Sequence, residues 1–282
     1  MNEALGKLSP EQRDLLERWI PGAMVEKDHS WGIVETTVLE MTRGGARFIV
    51  KAGGLRDHHM AREIHAHRNW LTPWTSRGRA ATMLHASAPA KLLVTTHLPG
   101  VLLLDSGHVT DPAAFRQAGE LLALLHGQTA TTDEDYEQRE NDKSLTLLDG
   151  PHRIAPPRSE RLRTLIRSWP APPATVVPTH GDWQPRNWLV HDGVVGVIDF
   201  GRAALRPAYT DFNRLVAQDF RADPRLEKAF LEGYGADPRE DDGWRRSRVR
   251  EAISTACWAY DKGIEAFEAQ GHRMIDEALT AV

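Results

Sequence analysis

His180-Gly181-Asp182-Trp183-Gln184-Pro185-Arg186-Asn187 is followed, twelve residues beyond Asn187, by Asp199 in Val197-Ile198-Asp199-Phe200-Gly201. Two β-rich runs lie between them, Trp188 to His191 and Val194 to Ile198, separated by Asp192-Gly193. Asp-Gly between such runs is a strong two-residue hairpin signal, because both turn positions require a positive φ. Folded about that dipeptide, the hairpin sets Asn187 opposite Ile198, with Asp199 the next residue along. Asn187 and Asp199 then emerge side by side at the open end, and Asp182 lies in the loop just before. Two hard-oxygen ligands beside a free carboxylate suit Mg²⁺, which keeps several waters and is usually completed by substrate phosphates.

That is the site logic of phosphoryl transfer, and the residues resemble a known family. HGDxxxxN followed by IDFG is similar to the catalytic and metal loops of the aminoglycoside phosphotransferase and choline kinase family. The resemblance covers nearly the whole chain. It implies an α+β, bilobal, protein-kinase-like fold, with a small β-rich nucleotide-binding lobe over 1–98 and a larger, mainly helical catalytic and substrate-binding lobe over 99–282. It implies that Asp182 is the catalytic base and that Asn187 and Asp199 hold Mg²⁺. His180 then orients the loop, and Asp211, in Tyr209-Thr210-Asp211, braces it.

At 282 residues the chain is long enough for two lobes. Its 35 Lys+Arg against 39 Asp+Glu leave a net charge of −4, which argues against a dedicated nucleic-acid binder. A single cysteine, Cys257, excludes a disulfide framework and a thiolate metal site, and its apolar neighbours read as a buried helix. No apolar run reaches the length of a membrane span, and Met1-Asn2-Glu3 does not open a secretory signal. The expectation is a soluble, cytoplasmic protein with no membrane or nucleic-acid partner; the oligomeric state is left open.

Along the chain, Ser9-Pro10-Glu11-Gln12 opens a helix to about Ile20, with Ser9 as N-cap and Gln12 completing a capping box. Strands are expected over Val34 to Met41, Arg47 to Lys51 and Lys91 to Thr96, and a helix capped by Asp57 runs to about Leu71. From Asp111-Pro112 the apolar residues Phe115, Ala118, Leu121, Leu122 and Leu125 repeat at helical spacing, and His126 just before Gly127 is placed to meet the last carbonyls. Residues 151–158 and 170–178 are Pro-rich and read as surface connections, with strands returning only at 188–198.

The first lobe supplies the nucleotide half of the pattern. Lys51 ends a strand whose alternate residues Phe48 and Val50 face a core, and Glu63 follows twelve residues on, within the helix. An amine that holds phosphate oxygens needs a carboxylate to fix it, and the resemblance implies this Lys51–Glu63 pair. The resemblance also places the phosphate-covering turn at 29–33, with Ser30 and Gly32, although no GxGxxG is present. It places the interlobe linker at Thr96, His97 and Leu98, whose backbone groups face the adenine edge. ATP and Mg²⁺ are the implied cofactors.

Other features carry competing readings. His58, His59, His65 and His67 crowd one helix; exposed histidines are the plainer reading and a zinc site the sharper one. Asp133, Glu134, Asp135, Glu137, Glu140 and Asp142 form an acidic run, either a solvated face or a wall that attracts a cation. Asp261, Glu265 and Glu268 recur at helical spacing near Trp258 and Tyr260, which suits either a solvated face or an aminosugar or guanidino ligand. The acceptor expected is a cationic antibiotic, an aminoglycoside or a viomycin- or capreomycin-type cyclic peptide, whose phosphorylation confers resistance. Substrate-binding candidates are Asp135, Asp261, Glu265 and Glu268. The alternatives are a metabolic kinase for choline, an amino alcohol or a sugar, and a catalytically silent nucleotide-binding module.

Overall fold

Ser9 and Gln12 close the first helix, α1 (Pro10–Trp19), in a reciprocal capping box: Ser9 Oγ accepts from Gln12 N (3.2 Å) and Gln12 Oε1 from Ser9 N (2.9 Å). The same glutamine donates to the carbonyls of Gly53 and Ala90, so the cap also pins α1 to the sheet beneath it. The computed structural model describes residues 3–32, 35–239 and 242–280. Val34, the expected start of a strand, and Ile33 of the expected phosphate-covering turn lie outside them.

Five antiparallel strands follow: β1 (Met24–Asp28), β2 (Thr37–Arg43), β3 (Ala46–Ala52), β4 (Met83–Ser87) and β5 (Leu92–Thr96), in the order β1-β2-β3-β5-β4. Period-two alternation sends Val50 and Ala52 to one face, where they pack with Leu39, Met41, Leu92 and Val94 against Leu16 of α1 and Ile20 just after it. Leu93 points to the other face and meets Met60 and Ile64 of α2 (Met60–Asn69). Lys51, between Val50 and Ala52, is thereby aimed at α2. The carboxylate of Asp57 accepts the N–H groups of His59 and Met60, capping α2, and the short α3 (Thr72–Thr75) follows.

The remainder is mainly helical. After β6 (Val101–Leu102) come α4 (Pro112–His126), β7 (Thr131–Asp133), α5 (Tyr136–Asp149) and α6 (Pro156–Ser168). The chain then enters β8 (Ala174–Thr179), the hairpin β9 (Trp188–His191) and β10 (Val194–Val197), and β11 (Ala204–Arg206). It ends in α7 (Asn213–Ala217), α8 (Asp219–Ala222), α9 (Pro224–Tyr234), α10 (Asp242–Lys262) and α11 (Glu265–Thr280). Two small sheets, β10-β9-β6 and β11-β8-β7, carry the loops of interest. Trp74, Trp183, Trp188, Phe115 and Phe212 are wholly buried in one core beneath those loops. Each such ring contributes on the order of 1.5–3 kcal/mol by leaving water. A second core joins α5, α6, α10 and α11 and includes Cys257, whose thiol burial pushes up to about 11, as a packing residue requires.

Two connections expected from proline content are ordered elements instead. Pro156 and Pro157 begin α6, where a missing N–H costs nothing. Residues 174–179 form a strand because Thr175-Val176-Val177 is β-branched and buries Val176 and Val177, which outweighs the flanking prolines. Among the described residues no helix is long and apolar enough to cross a membrane.

Candidate active site

The hairpin forms about Asp192 (φ 49°) and Gly193 (φ 75°), both left-handed as the two-residue turn demands. Val197 pairs with Trp188, and Ile198 N–H donates to Asn187 O (3.0 Å), so Asn187 and Asp199 leave the hairpin together. Asp199 itself is left-handed (φ 68°), a conformation that aspartate tolerates at some cost and that turns its carboxylate out of the strand direction.

The 180–187 loop is held from below. His180 is fully buried; its Nδ1 accepts the N–H of Asp182 (3.2 Å), which leaves Nε2 to donate to Ile198 O (3.1 Å). Asp211 accepts the N–H groups of His180 (2.8 Å) and Gly181 (2.6 Å) on separate oxygens. Gly181 is obligatory: φ is +78°, and a Cβ there would lie 2.3 Å from Arg202 O. His126 ends α4, but its ring does not meet the last carbonyls as the sequence suggests. It is buried, pairs with Asp211 (3.1 Å) and meets Tyr234 Oη (2.8 Å). Burial raises the Asp211 carboxyl, but the His126 hydrogen bond and charge outweigh it, and Asp211 stays below its usual value.

Lys51 reaches Glu63 Oε1 at 2.6 Å and Asp199 Oδ1 at 3.4 Å. Burial disfavours its charge, but the two carboxylates more than restore it, so the amine is held well above its usual range. The Asn187 amide nitrogen donates to Asp182 O (2.8 Å) and Asp182 Oδ2 (3.1 Å), which turns the amide oxygen the other way. That oxygen takes no hydrogen bond from a described residue, and the Asp199 side chain is half exposed. A half-exposed carboxylate beside an amide oxygen that is free of a described donor fits Mg²⁺, and Asn187 and Asp199 are the residues that would hold it.

Asp182 is buried and ringed by donors. Arg186 Nη2 (2.7 Å) and Asn187 meet Oδ2; Gln184 Nε2 (2.5 Å) and Arg214 Nε (3.0 Å) meet Oδ1. Burial alone would raise this carboxyl. Arg214, Arg186 and Arg202 reverse the sign and hold it well below the usual carboxylate range. Arg214 also forms an ion pair with Glu251 of α10 (3.5 Å). Sequence reasoning missed Arg186, Arg202, Arg214 and Glu251. Arg186 and Arg202 lay inside or beside the quoted motifs, whereas Arg214 and Glu251 carry no local signal.

The remaining candidates scatter. Ser30 Oγ accepts from Val38 N (3.0 Å), Gly32 has φ +77°, and the exposed Trp31 ring between them lies near the Arg186 guanidinium (5.7 Å). Thr96 pairs with Thr82, and His97 N–H is committed to Arg47 O (3.1 Å), which leaves Leu98 N–H as the linker donor with no described partner. Asp261 is exposed beside Lys262 (2.9 Å), and Glu265 is exposed at the start of α11. Glu268 is buried against Arg153 (3.3 Å). Asp261 is ten residues beyond Glu251 on α10, about 15 Å at 1.5 Å per residue, so these acids do not join the Asp182 cluster.

Half of the acidic run is paired with cations. Asp133 pairs with Arg139, Glu140 with Lys143, and Glu137 is a buried brace between Arg246 (2.5 Å) and Arg250 (2.7 Å) of α10; Asp135 stays exposed. Nor are the helix histidines all exposed, because α2 packs across the 199–201 loop. His59 Nδ1 meets Gly201 O (2.9 Å), and His67 lies edge-on to Phe200. No cluster of three His, Cys, Asp or Glu residues fit for a metal occurs among the described residues.

Comparison with known proteins agrees with this geometry. No curated protein sequence matches the chain. Among solved structures, choline kinase LicA from Streptococcus pneumoniae is similar at TM-score 0.70 and 15% identity, over 97% of this chain and 100% of that one. The aminoglycoside phosphotransferase APH(4)-Ia, in a ternary complex with AMP-PNP and hygromycin B, gives 0.66 and 14%, over 96% and 98%. Macrolide 2'-phosphotransferase MphH from Brachybacterium faecium gives 0.60 and 18%, over 93% and 96%. These likenesses show the bilobal protein-kinase-like fold, a small antiparallel sheet lobe joined to a helical lobe. The profile of the phosphotransferase enzyme family matches residues 34–248, so the chain belongs to that family of small-molecule phosphotransferases.

Proposed function

We propose that the protein is an ATP- and Mg²⁺-dependent O-phosphotransferase that phosphorylates a hydroxyl of a small molecule. The observation that carries this reading is one polar chain, Glu63–Lys51–Asp199, set beside a second, Asn187–Asp182. Lys51, fixed by Glu63, positions phosphate oxygens. Asn187 and Asp199 hold the metal, which supplies charge neutralisation when bound. Asp182 orients the acceptor hydroxyl. The hydroxyl oxygen bonds to the γ-phosphorus as the bond to the β-γ bridging oxygen breaks, ADP leaves, and the proton passes to Asp182 and then to solvent. With its pKa so low, Asp182 acts first by orientation and takes the proton late, once phosphorus has made the hydroxyl acidic.

For the acceptor we favour a cationic antibiotic, an aminoglycoside or a viomycin- or capreomycin-type cyclic peptide, with resistance as the outcome. Glu251 beside the catalytic loop supports this, as does hygromycin B in one neighbour's complex. A second reading, a metabolic kinase acting on choline, an amino alcohol or a sugar, gains from the arginines around Asp182. They repel positive charge at the reacting end and favour a neutral alcohol there. An ATP-consumption screen against antibiotics and amino alcohols tests both. Turnover only with amino alcohols or sugars would overturn the antibiotic reading, and no turnover with any hydroxyl acceptor would overturn the kinase.

A further inference from the structure

The Asp182 carboxylate is crowded on both oxygens where an acceptor hydroxyl would have to approach. A carboxylate offers about four acceptor directions; Arg186 and Asn187 both donate to Oδ2, Gln184 takes one direction on Oδ1, and the Arg214 guanidinium sits against Oδ1 as an ion pair at 3.0 Å. A hydroxyl gains room at Oδ2 when one of these groups moves aside. Asn187 is buried and tied a second time, to Asp182 O. Gln184 is buried two residues along the same loop. Arg214 is anchored from behind by Glu251. Arg186 alone faces the interlobe side. Its guanidinium lies 2.7 Å from Asp182 Oδ2 and 5.7 Å from the exposed ring of Trp31, on the turn expected to cover the phosphates. It therefore stands between the base and the nucleotide turn, one residue before the metal ligand Asn187.

We propose that Arg186 serves two partners in turn: Asp182 Oδ2, as in this structure, and the γ-phosphoryl oxygens of ATP during transfer. The inference rests on the phosphotransferase reading. Moving the guanidinium opens one lone pair of Asp182 to the acceptor hydroxyl and sets a planar two-point cation against the group whose charge the reaction must stabilise. The acceptor is then oriented only after ATP has drawn Arg186 away, so ATP binds before the acceptor. Arg186 is in this sense an arginine finger supplied in cis.

The test is calorimetric binding of Mg·AMP-PNP and Mg·ADP to the wild-type chain, Arg186→Ala, Arg186→Lys and Arg214→Met. Arg186→Ala is expected to leave ADP affinity within about threefold and to cut the preference for the triphosphate by roughly tenfold or more, the loss of one charge-assisted contact. Turnover should fall on the order of 10²–10³, with partial rescue by added guanidinium. Arg186→Lys should fall between, keeping the charge without the fork, and it decides the matter if the alanine variant does not fold. Arg214→Met touches Asp182 but not the phosphates and should leave the preference unchanged. An unaltered preference in both Arg186 variants would overturn the proposal, as would an equal loss in Arg214→Met. A wild-type chain that binds neither nucleotide would instead overturn the phosphotransferase reading itself.

Discussion

Arg214 Nε lies 3.0 Å from Asp182 Oδ1, while the far end of the same guanidinium reaches Glu251 on α10 at 3.5 Å. The Asp182 carboxylate is thus held by way of α10 as well as from its own loop. Asp182→Asn keeps the shape but strands Arg186 and Arg214 without a counter-charge. We expect a turnover loss on the order of 10²–10⁴ with nucleotide binding retained, and a lowered melting temperature. Turnover within threefold of wild type would remove Asp182 from its role.

Asp199→Ala deletes an accessible oxygen of the proposed metal pair. Mg²⁺ should then no longer strengthen nucleotide binding. Calorimetry with and without Mg²⁺ decides this, and an enhancement equal to the wild type's would refute the assignment.

A lysine near a strand end, read from sequence, contributes little to a core, so Lys51→Ala would be expected to leave the melting temperature unchanged. The structure changes that expectation. Only 15% of the Lys51 side chain is exposed, and its partner Glu63 is buried at 2.6 Å. Removing the amine leaves a buried carboxylate without its cation, a loss of about 1–3 kcal/mol. We expect a measurable fall in the nucleotide-free melting temperature and partial recovery in Lys51→Ala/Glu63→Gln. A fall equal in single and double variants would show that the pair is not the cause.

His67 tests the electrostatics of the same region. Burial, with Lys51 as a like-charged neighbour, pushes its pKa down to about 3. Below the ordinary histidine value of about 6.5 the unfolded chain takes up a proton that the folded chain refuses. His67 therefore lowers stability as pH falls from 6.5 towards 3, by up to about 1.36 kcal/mol per pH unit. Urea melts at pH 7 and pH 5 should show this loss, and His67→Phe should flatten it. Parallel slopes would contradict the burial argument.

If the acceptor is a multiply charged cation, its KM should rise with ionic strength more than the KM for ATP, because partly exposed charges are screened over about 10 Å at 0.1 M salt. Glu251→Gln should raise the acceptor KM in the same direction. Asp261→Asn, well outside the Asp182 cluster and already beside Lys262, should do so less. A flat salt profile would favour the metabolic-kinase alternative.

What the sequence determined by itself was local. Asp192-Gly193 between two apolar runs dictates a hairpin, and the hairpin dictates that Asn187 and Asp199 leave it together. The Ser9–Gln12 cap and the alternation that turns Lys51 away from Val50 are equally short-range. Resemblance then extended these few residues to a whole fold. The tertiary structure decided everything that depends on residues distant in the chain. Arg214 reaches Asp182, and Glu251 reaches Arg214, only because α7 and α10 pack together, and no spacing announces a cation 32 residues beyond its partner. Burial likewise made His126 a partner of Asp211 and Glu137 a brace for α10, though each sits in a stretch that reads as a helix end or a solvated face. A charge's role follows from what excludes water around it and which opposite charge remains within reach. Both are set by packing between elements, which periodicity along one element does not encode.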